Sequence, residues 1–371
     1  MALRAAVTST PTRVLIVDDS AGARAMFKVI VESDPALQVM AAVPDAYAAA
    51  RAMRTELPDA ILLDLELPGM DGLTFLRKIM QQHPIPVIVC SSHVGAGTDT
   101  MVAALELGAK EVIAKPAARN EIERQEASIR ICDAIRAATE TTRRRAQPEA
   151  RPLAPGPKLT ADEILPARPP RPVPETMPVV CIGASTGGTE ALRDVLTALP
   201  ASAPPIVIVQ HMPRGFTAAF ARRLDSLCAI EVLEAEDEMQ VLPGRAIIAQ
   251  GDRHLLLRRR NQGYRVSVVD GAYVCRHRPS VDVLFRSAAQ EAGSNALGII
   301  MTGMGDDGAR CMAEMRAADA ETIAQNEESC VVYGMPREAV AHGGVQKVEP
   351  LDRLATRIVE FGRRQAERVA R

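Results

Sequence analysis

Three features of the sequence predict an α/β chain of two doubly wound domains. From residue 12 to 135, short β-branched apolar runs alternate with segments of helical periodicity, the pattern of a parallel sheet with helices on both faces. From 136 to 177 large apolar residues are few, and ten prolines fall between Pro148 and Pro178. Such a stretch buries too little surface to fold alone and reads as a mobile linker, with docking of its short apolar island Ile164-Leu165 as the alternative. From 178 to 371 the chain resumes with an apolar strand, a Gly-rich turn and a helix, and further strands of the same kind follow. The second domain is read as a mainly parallel α/β sheet.

In the first domain Arg13 to Val17 is a buried strand running into Asp18 and Asp19. A helix from Ala21 to Glu32 presents Met26, Phe27, Ile30 and Val31 on one face. Strand Gln38 to Val43 and helix Ala46 to Thr55 follow, then strand Ala60 to Leu63, which ends at Asp64. Helix Leu73 to Gln82 leads to strand Pro86 to Cys90, closed by Ser91. Helix Asp99 to Leu107 and strand Glu111 to Ala114 finish at Lys115 and Pro116. A helix from Arg119 to about Glu140, with Ile122, Ile129, Cys132 and Ile135 in one stripe, packs on this sheet.

Ligands of doubly wound sheets sit at the carboxyl ends of the strands. Here those ends carry Asp18, Asp19, Asp64, Ser91 and Lys115. Three carboxylates brought together repel one another unless a hard cation neutralises them, so the cluster predicts a Mg²⁺ site. Lys115 adds a fixed positive charge and Ser91 a hydroxyl, both suited to a phosphoryl group.

Composition narrows the function. A formal net charge of −2, 3% aromatics and no Trp argue against a nucleic-acid binder. Seven scattered cysteines without Cys-x-x-Cys pairs suit reduced thiols rather than a disulfide frame or a zinc site. No stretch is long and apolar enough for a signal peptide or a membrane span, so a cytoplasmic protein without membrane insertion is expected.

The second domain is organised around Val179 to Thr189, a strand that stops at Gly183-Ala-Ser-Thr-Gly-Gly188 before a helix with Leu192, Val195, Leu196 and Leu199 on one face. Ser185 lies inside the turn between small neighbours, where a nucleophilic serine would be placed. A phosphate or dinucleotide loop is the competing reading of such a turn. Strand Pro205 to Gln210 ends at His211, a candidate base for Ser185, with His254 and His277 as alternatives. Strand Ala296 to Met301 is closed by Thr302-Gly-Met-Gly-Asp-Asp-Gly308 and a helix from Ala309 to Ala318. An aspartate there can orient an imidazole. Residue chemistry alone leaves Asp306 and Asp307 equivalent.

Two resemblances complete the reading. Val17-Asp18-Asp19, Asp64 to Gly72, Ser91 and Lys115-Pro116 resemble the receiver domain of bacterial response regulators, over residues 12 to 135. The resemblance implies that Asp64 accepts a phosphoryl group from a chemotaxis histidine kinase. It implies that Asp18, Asp19, Asp64 and the Glu66 backbone carbonyl hold Mg²⁺, and that Ser91 and Lys115 touch the phosphoryl oxygens. Val112 stands three residues before Lys115, where many receivers carry a switching aromatic.

The segments Gly183 to Gly188, Gln210 to Pro213, Arg278 to Phe285, Thr302 to Gly308, Ala324 to Glu327 and Gly334 to Arg337 resemble the CheB protein-glutamate methylesterases of bacterial chemotaxis. The resemblance implies Ser185 as nucleophile, His211 as general base and Asp307 as orienting carboxylate, with Thr186 beside the nucleophile and the Met304 backbone as oxyanion donor. It implies a phosphorylation-activated hydrolase that demethylates glutamate γ-methyl esters of chemotaxis receptors, and deamidates receptor glutamines, for sensory adaptation. No cofactor is expected in this half, and the chain is expected to be a monomer.

Overall fold

A computed structural model describes residues 10–91, 98–116, 121–143, 158–168, 178–260 and 263–369. The chain divides into two compact units, one built on the first five strands and one comprising residues from 158 onward.

In the first unit the chain order is β1 (Thr12–Val17), α1 (Ala21–Glu32), β2 (Leu37–Val43), α2 (Ala46–Thr55), β3 (Ala60–Leu63), α3 (Gly72–Gln82), β4 (Val87–Ser91), α4 (Thr98–Glu106), β5 (Glu111–Ala114) and α5 (Glu121–Arg143). The strands are all parallel, in the order β2-β1-β3-β4-β5. Side-chain oxygens of Ser20, Asp45 and Asp71 cap α1, α2 and α3, each accepting from a backbone N–H inside its helix. Val14, Ile16, Leu62 and Ile88 meet Phe27 and Ile30 of α1 and Ile131, Cys132 and Ile135 of α5 in one core. Val17 pairs with Leu63, so Asp18 and Asp64 leave neighbouring strands at the same level. This is the point where strand order reverses, the position at which open α/β sheets bind ligands.

The second unit contains β6 (Val179–Ala184), α6 (Gly188–Thr197), β7 (Ile206–Gln210), α7 (Phe216–Asp225), β8 (Glu231–Glu234), β9 (Gln240–Val241), β10 (Arg245–Ile248), β11 (His254–Arg260), β12 (Gly263–Val269), α8 (Val281–Glu291), β13 (Ala296–Ile300), α9 (Ala309–Ala317), β14 (Glu321–Gln325), α10 (Met335–Ala341), β15 (Lys347–Glu349) and α11 (Leu351–Val369). Seven of its strands form a parallel sheet in the order β15-β14-β13-β6-β7-β10-β8. An antiparallel trio, β11-β12-β9, is an addition that the strand-helix alternation does not predict. From β6 the chain first builds toward β7 and then returns to β13 on the other side, so the switch point lies at β6. In α11, Leu354, Ile358 and Phe361 are fully buried, and the helix packs against α6.

The linker differs from its sequence reading in two places. Its expected start at 136 falls inside α5, which continues to Arg143 because Ala137 and Ala138 remain buried on the stripe begun by Ile131. Its residues 158–168 are folded onto the second unit. Ala161 and Leu165 are 1% and 4% exposed, and Ile164 packs beside Gly271. The reason is electrostatic as well as apolar. Arg286 of α8 is fully buried, and its guanidinium donates to Asp162 Oδ1 (2.8 Å), Leu165 O (3.1 Å) and both carboxylate oxygens of Glu314 (2.8 and 2.6 Å). A buried guanidinium requires this many acceptors, and the linker supplies two of them. The side chain of Ile122 and the stretches 144–157 and 169–177 lie outside the described residues.

Candidate active site and receiver acidic cluster

Ser185 follows directly after β6. Ala184 pairs with Gln210 in the sheet, so Ser185 and His211 step off neighbouring strands at the same rung, and His211 N donates to Ala184 O (3.0 Å). The Ser185 carbonyl accepts from Gly188 N (2.7 Å) and from Gln210 Nε2 (2.9 Å). Gly187 has φ +78°, a left-handed conformation that turns the chain into α6 while keeping clear of Val331. On the other side, β13 pairs Ile300 with Gly183, which brings the loop after β13 alongside. Ser185 N donates to Thr302 O (3.0 Å), and a Cβ on Gly303 would sit 2.7 Å from Ser185 Cβ. Thr186 is 3% exposed, and its carbonyl accepts from Thr302 Oγ1 (2.9 Å). Met304 occupies the same loop and is half-buried.

Asp307 is fully buried, and its Oδ2 lies 2.8 Å from His211 Nε2. It also accepts from Ser280 Oγ (2.7 Å), Val281 N (2.7 Å) and Asp282 N (3.0 Å). Burial pushes the Asp307 carboxyl up, while nearby His277 and these donors pull it back toward the carboxylate form. The start of α8 is therefore an anion cradle, and Asp307 is the anion it holds. Asp306 is half-buried and paired instead with Lys158 Nζ at 2.5 Å. The tertiary structure thus separates two aspartates that local chemistry leaves equivalent.

The other histidines are also placed. His254 is fully buried, with Nε2 2.8 Å from Ala272 O and Nδ1 accepting from Ser280 N (3.3 Å), and burial lowers its pKa. His277 lies flat on His211, with ring centroids 3.7 Å apart and planes 5° from parallel. Sequence reasoning entered His277 only as a rival base, although it immediately precedes the Arg278 to Phe285 motif. His211, His277 and Asp307 have ligand-type atoms within 4.8 Å of one another. Parallel stacked imidazoles, however, aim their lone pairs side by side rather than at one point, and both Asp307 oxygens are already engaged by donors. That is not the geometry of a tetrahedral metal centre.

In the first unit Asp18, Asp19 and Asp64 converge, with carboxylate oxygens within 4.8 Å of one another. Asp18 and Asp64 are buried, and Lys115 Nζ bridges them at 2.6 Å to each Oδ2. Burial pushes the Asp64 carboxyl up, and Lys115 opposes that shift. Glu66 N donates to Asp64 Oδ1 (3.1 Å), which sets Glu66 beside the cluster. Ser91, 4% exposed, ends β4, and its carbonyl accepts from Lys115 N (2.8 Å). An all-oxygen set of this charge suits a hard octahedral cation with bonds of about 2.1 Å, so the donor chemistry fits Mg²⁺.

Residues 180–358 match the family described as CheB methylesterase, and residues 14–125 match the response regulator receiver domain. The chain is 93% identical over 360 residues to the protein-glutamate methylesterase/protein-glutamine glutaminase 1 of Cereibacter sphaeroides, covering 97% of this chain and 98% of that one. It belongs to the CheB methylesterase family. Another family member, the methylesterase/glutaminase of the group 3 operon of Bradyrhizobium diazoefficiens, is 56% identical over 350 residues, 94% of this chain and 95% of that protein. The Thermotoga maritima CheB methylesterase catalytic domain, solved by crystallography, is 37% identical, covering 50% of this chain and 99% of that one, with a TM-score of 0.49. As a CheB methylesterase the chain is a hydrolase joined to a receiver. No helix among the described residues is long and apolar enough to cross a membrane.

Proposed function

We propose that this chain hydrolyses glutamate γ-methyl esters on chemotaxis receptors through an acyl-enzyme at Ser185, and that phosphorylation of Asp64 raises the rate. The observation that carries the catalytic reading is the 2.8 Å contact between buried Asp307 and His211, one strand from Ser185. Asp307 fixes the imidazole tautomer and balances the charge that develops when the ring takes the serine proton. Ser185 Oγ then attacks the γ-carbonyl, and its proton passes to His211 at the nitrogen opposite the Asp307 contact. The tetrahedral oxyanion is stabilised by the backbone N–H of Met304, with Thr186 beside it. Collapse breaks the bond to the methoxy oxygen, which leaves as methanol with the proton from His211. A water, deprotonated by His211, cleaves the acyl-enzyme and releases free glutamate. The same attack on a glutamine γ-amide would expel ammonia, in keeping with the names of the relatives.

In the receiver, Asp64 accepts the phosphoryl group from a histidine kinase, and Lys115 and Ser91 meet its oxygens, a reading supported by the contact of Lys115 Nζ with Asp64 Oδ2 at 2.6 Å. Asp18, Asp19, Asp64 and the Glu66 carbonyl would hold Mg²⁺, which when bound offsets phosphoryl and carboxylate charge. A cytoplasmic enzyme acting on the cytoplasmic part of a receptor fits this chemistry. The test is methanol release from methyl-labelled receptor membranes, with and without a small-molecule phosphodonor and Mg²⁺. Release that is lost in Ser185→Ala, and whose stimulation is lost in Asp64→Asn, is expected. Release that survives Ser185→Ala refutes the mechanism.

A further inference from the structure

His277 reaches the face of His211 through a two-residue turn. Val274 N donates to His277 O (3.1 Å) and His277 N donates to Val274 O (2.8 Å). The residues between them, Cys275 and Arg276, have φ of 48° and 68°. Turns of this hand favour asparagine and glycine at both positions, and neither is present. Strain of this kind persists only where the surroundings over-determine it, and it concentrates at functional sites.

The surroundings here do over-determine it. Val274 is fully buried. Cys275 N donates to Leu159 O (2.9 Å), a carbonyl of the docked linker segment. The Cys275 thiol donates to Asp282 Oδ2 (3.3 Å), and His277 Nδ1 donates to Cys275 O (2.8 Å), tying the ring to its own turn.

The hydrogen bond between Asp307 and His211 Nε2 sets one edge of the ring but leaves tilt about that bond to be set by other contacts. A flat neighbour whose centroid lies 3.7 Å away, nearly parallel, removes the tilt. We infer that His277 is a positioning residue for His211: its ring face fixes the plane of the base, as Asp307 fixes its edge. His277 takes no part in bond making, and the inference rests on the Ser185, His211, Asp307 reading.

Two substitutions in the full-length protein separate the ring face from the turn. His277→Phe keeps a flat ring and loses the bond to Cys275 O; His277→Asn keeps a side-chain donor and loses the ring. With both variants shown to be folded by thermal melting, His277→Asn is expected to lose ~10- to 100-fold in kcat with KM within about 3-fold, since a base displaced by about 1 Å costs on that order. His277→Phe is expected to stay within about 5-fold of the parent kcat, because the ring face is kept. Parental kcat in both, equal loss in both, or a greater loss in His277→Phe overturns the inference. Ser185→Ala and His211→Ala run in parallel: activity surviving in those two would remove the underlying triad reading, a result distinct from failure at His277.

Discussion

Replacing Asp307 tests both the chemistry and the packing of the site. The carboxylate has no exposed surface and accepts from His211, Ser280, Val281 and Asp282. Asp307→Ala would leave three of those donors buried without an acceptor, and at ~1–3 kcal/mol each that is about 3–9 kcal/mol. Against a typical stability of about 5–15 kcal/mol, the alanine variant is a folding mutant. Asp307→Asn is the informative one. Its single oxygen can serve either the Ser280 and Asp282 side or the His211 and Val281 side, so one backbone N–H loses its acceptor, at about 1–3 kcal/mol. That leaves most molecules folded. If the amide nitrogen faces His211, it selects the tautomer whose other nitrogen is already protonated and cannot take the serine proton. The loss expected in kcat is then ~10³- to 10⁴-fold, the scale of the equivalent change in serine proteases. The assay is methanol release from a γ-methyl ester substrate, with a thermal melt on the same sample. Asp306→Asn, which removes the ion pair with Lys158, is expected to stay near the parent. A folded Asp307→Asn protein whose amide nitrogen is shown to face His211, yet which stays within about 10-fold of parental kcat, would refute the orienting role.

Two further predictions follow from buried groups. Leu165→Ala, in the linker segment docked on the second unit, is expected to cost about 2–5 kcal/mol and to lower the melting temperature, since Leu165 is 4% exposed; an unchanged melt would mean that residues 158–168 do not hold to the domain in solution. The Asp282 carboxyl is pushed up to about 6 by burial and then by the charge of Asp307. The folded state thus holds this proton more tightly than the unfolded chain, so its contribution is present below about pH 4 and is lost as pH rises through about 6. Denaturation at pH 4.5 and 7.5 is expected to show the Asp282→Asn variant gaining on the parent by about 2 kcal/mol at the higher pH, whereas a constant difference would contradict the buried-carboxyl reading.

The sequence by itself determined the five strands of the first unit, β6, β7 and β13 of the second, most helices and the residues at those strand ends. These follow from apolar periodicity and turn chemistry spanning a few residues, as in Val179 to Gly188 or Ala60 to Asp64, and such patterns hold whatever the rest of the chain does. Their common chemistry identified Ser185, His211 and the acidic cluster as candidates. Residue chemistry left Asp306 and Asp307 equivalent and only the resemblance favoured Asp307; the physical difference is tertiary, a contact with His211 across 96 residues of sequence and three donors at the start of α8. The tertiary structure also decided that residues 158–168 dock rather than run as solvated linker, since the decisive partner, Arg286, lies 124 residues from Asp162. It alone set His277 against His211. A composition poor in large apolar residues describes what a segment can bury by itself, whereas docking depends on what another surface leaves unsatisfied. That deficit, a buried guanidinium short of acceptors, exists only once the strand order has brought α8 and α9 together.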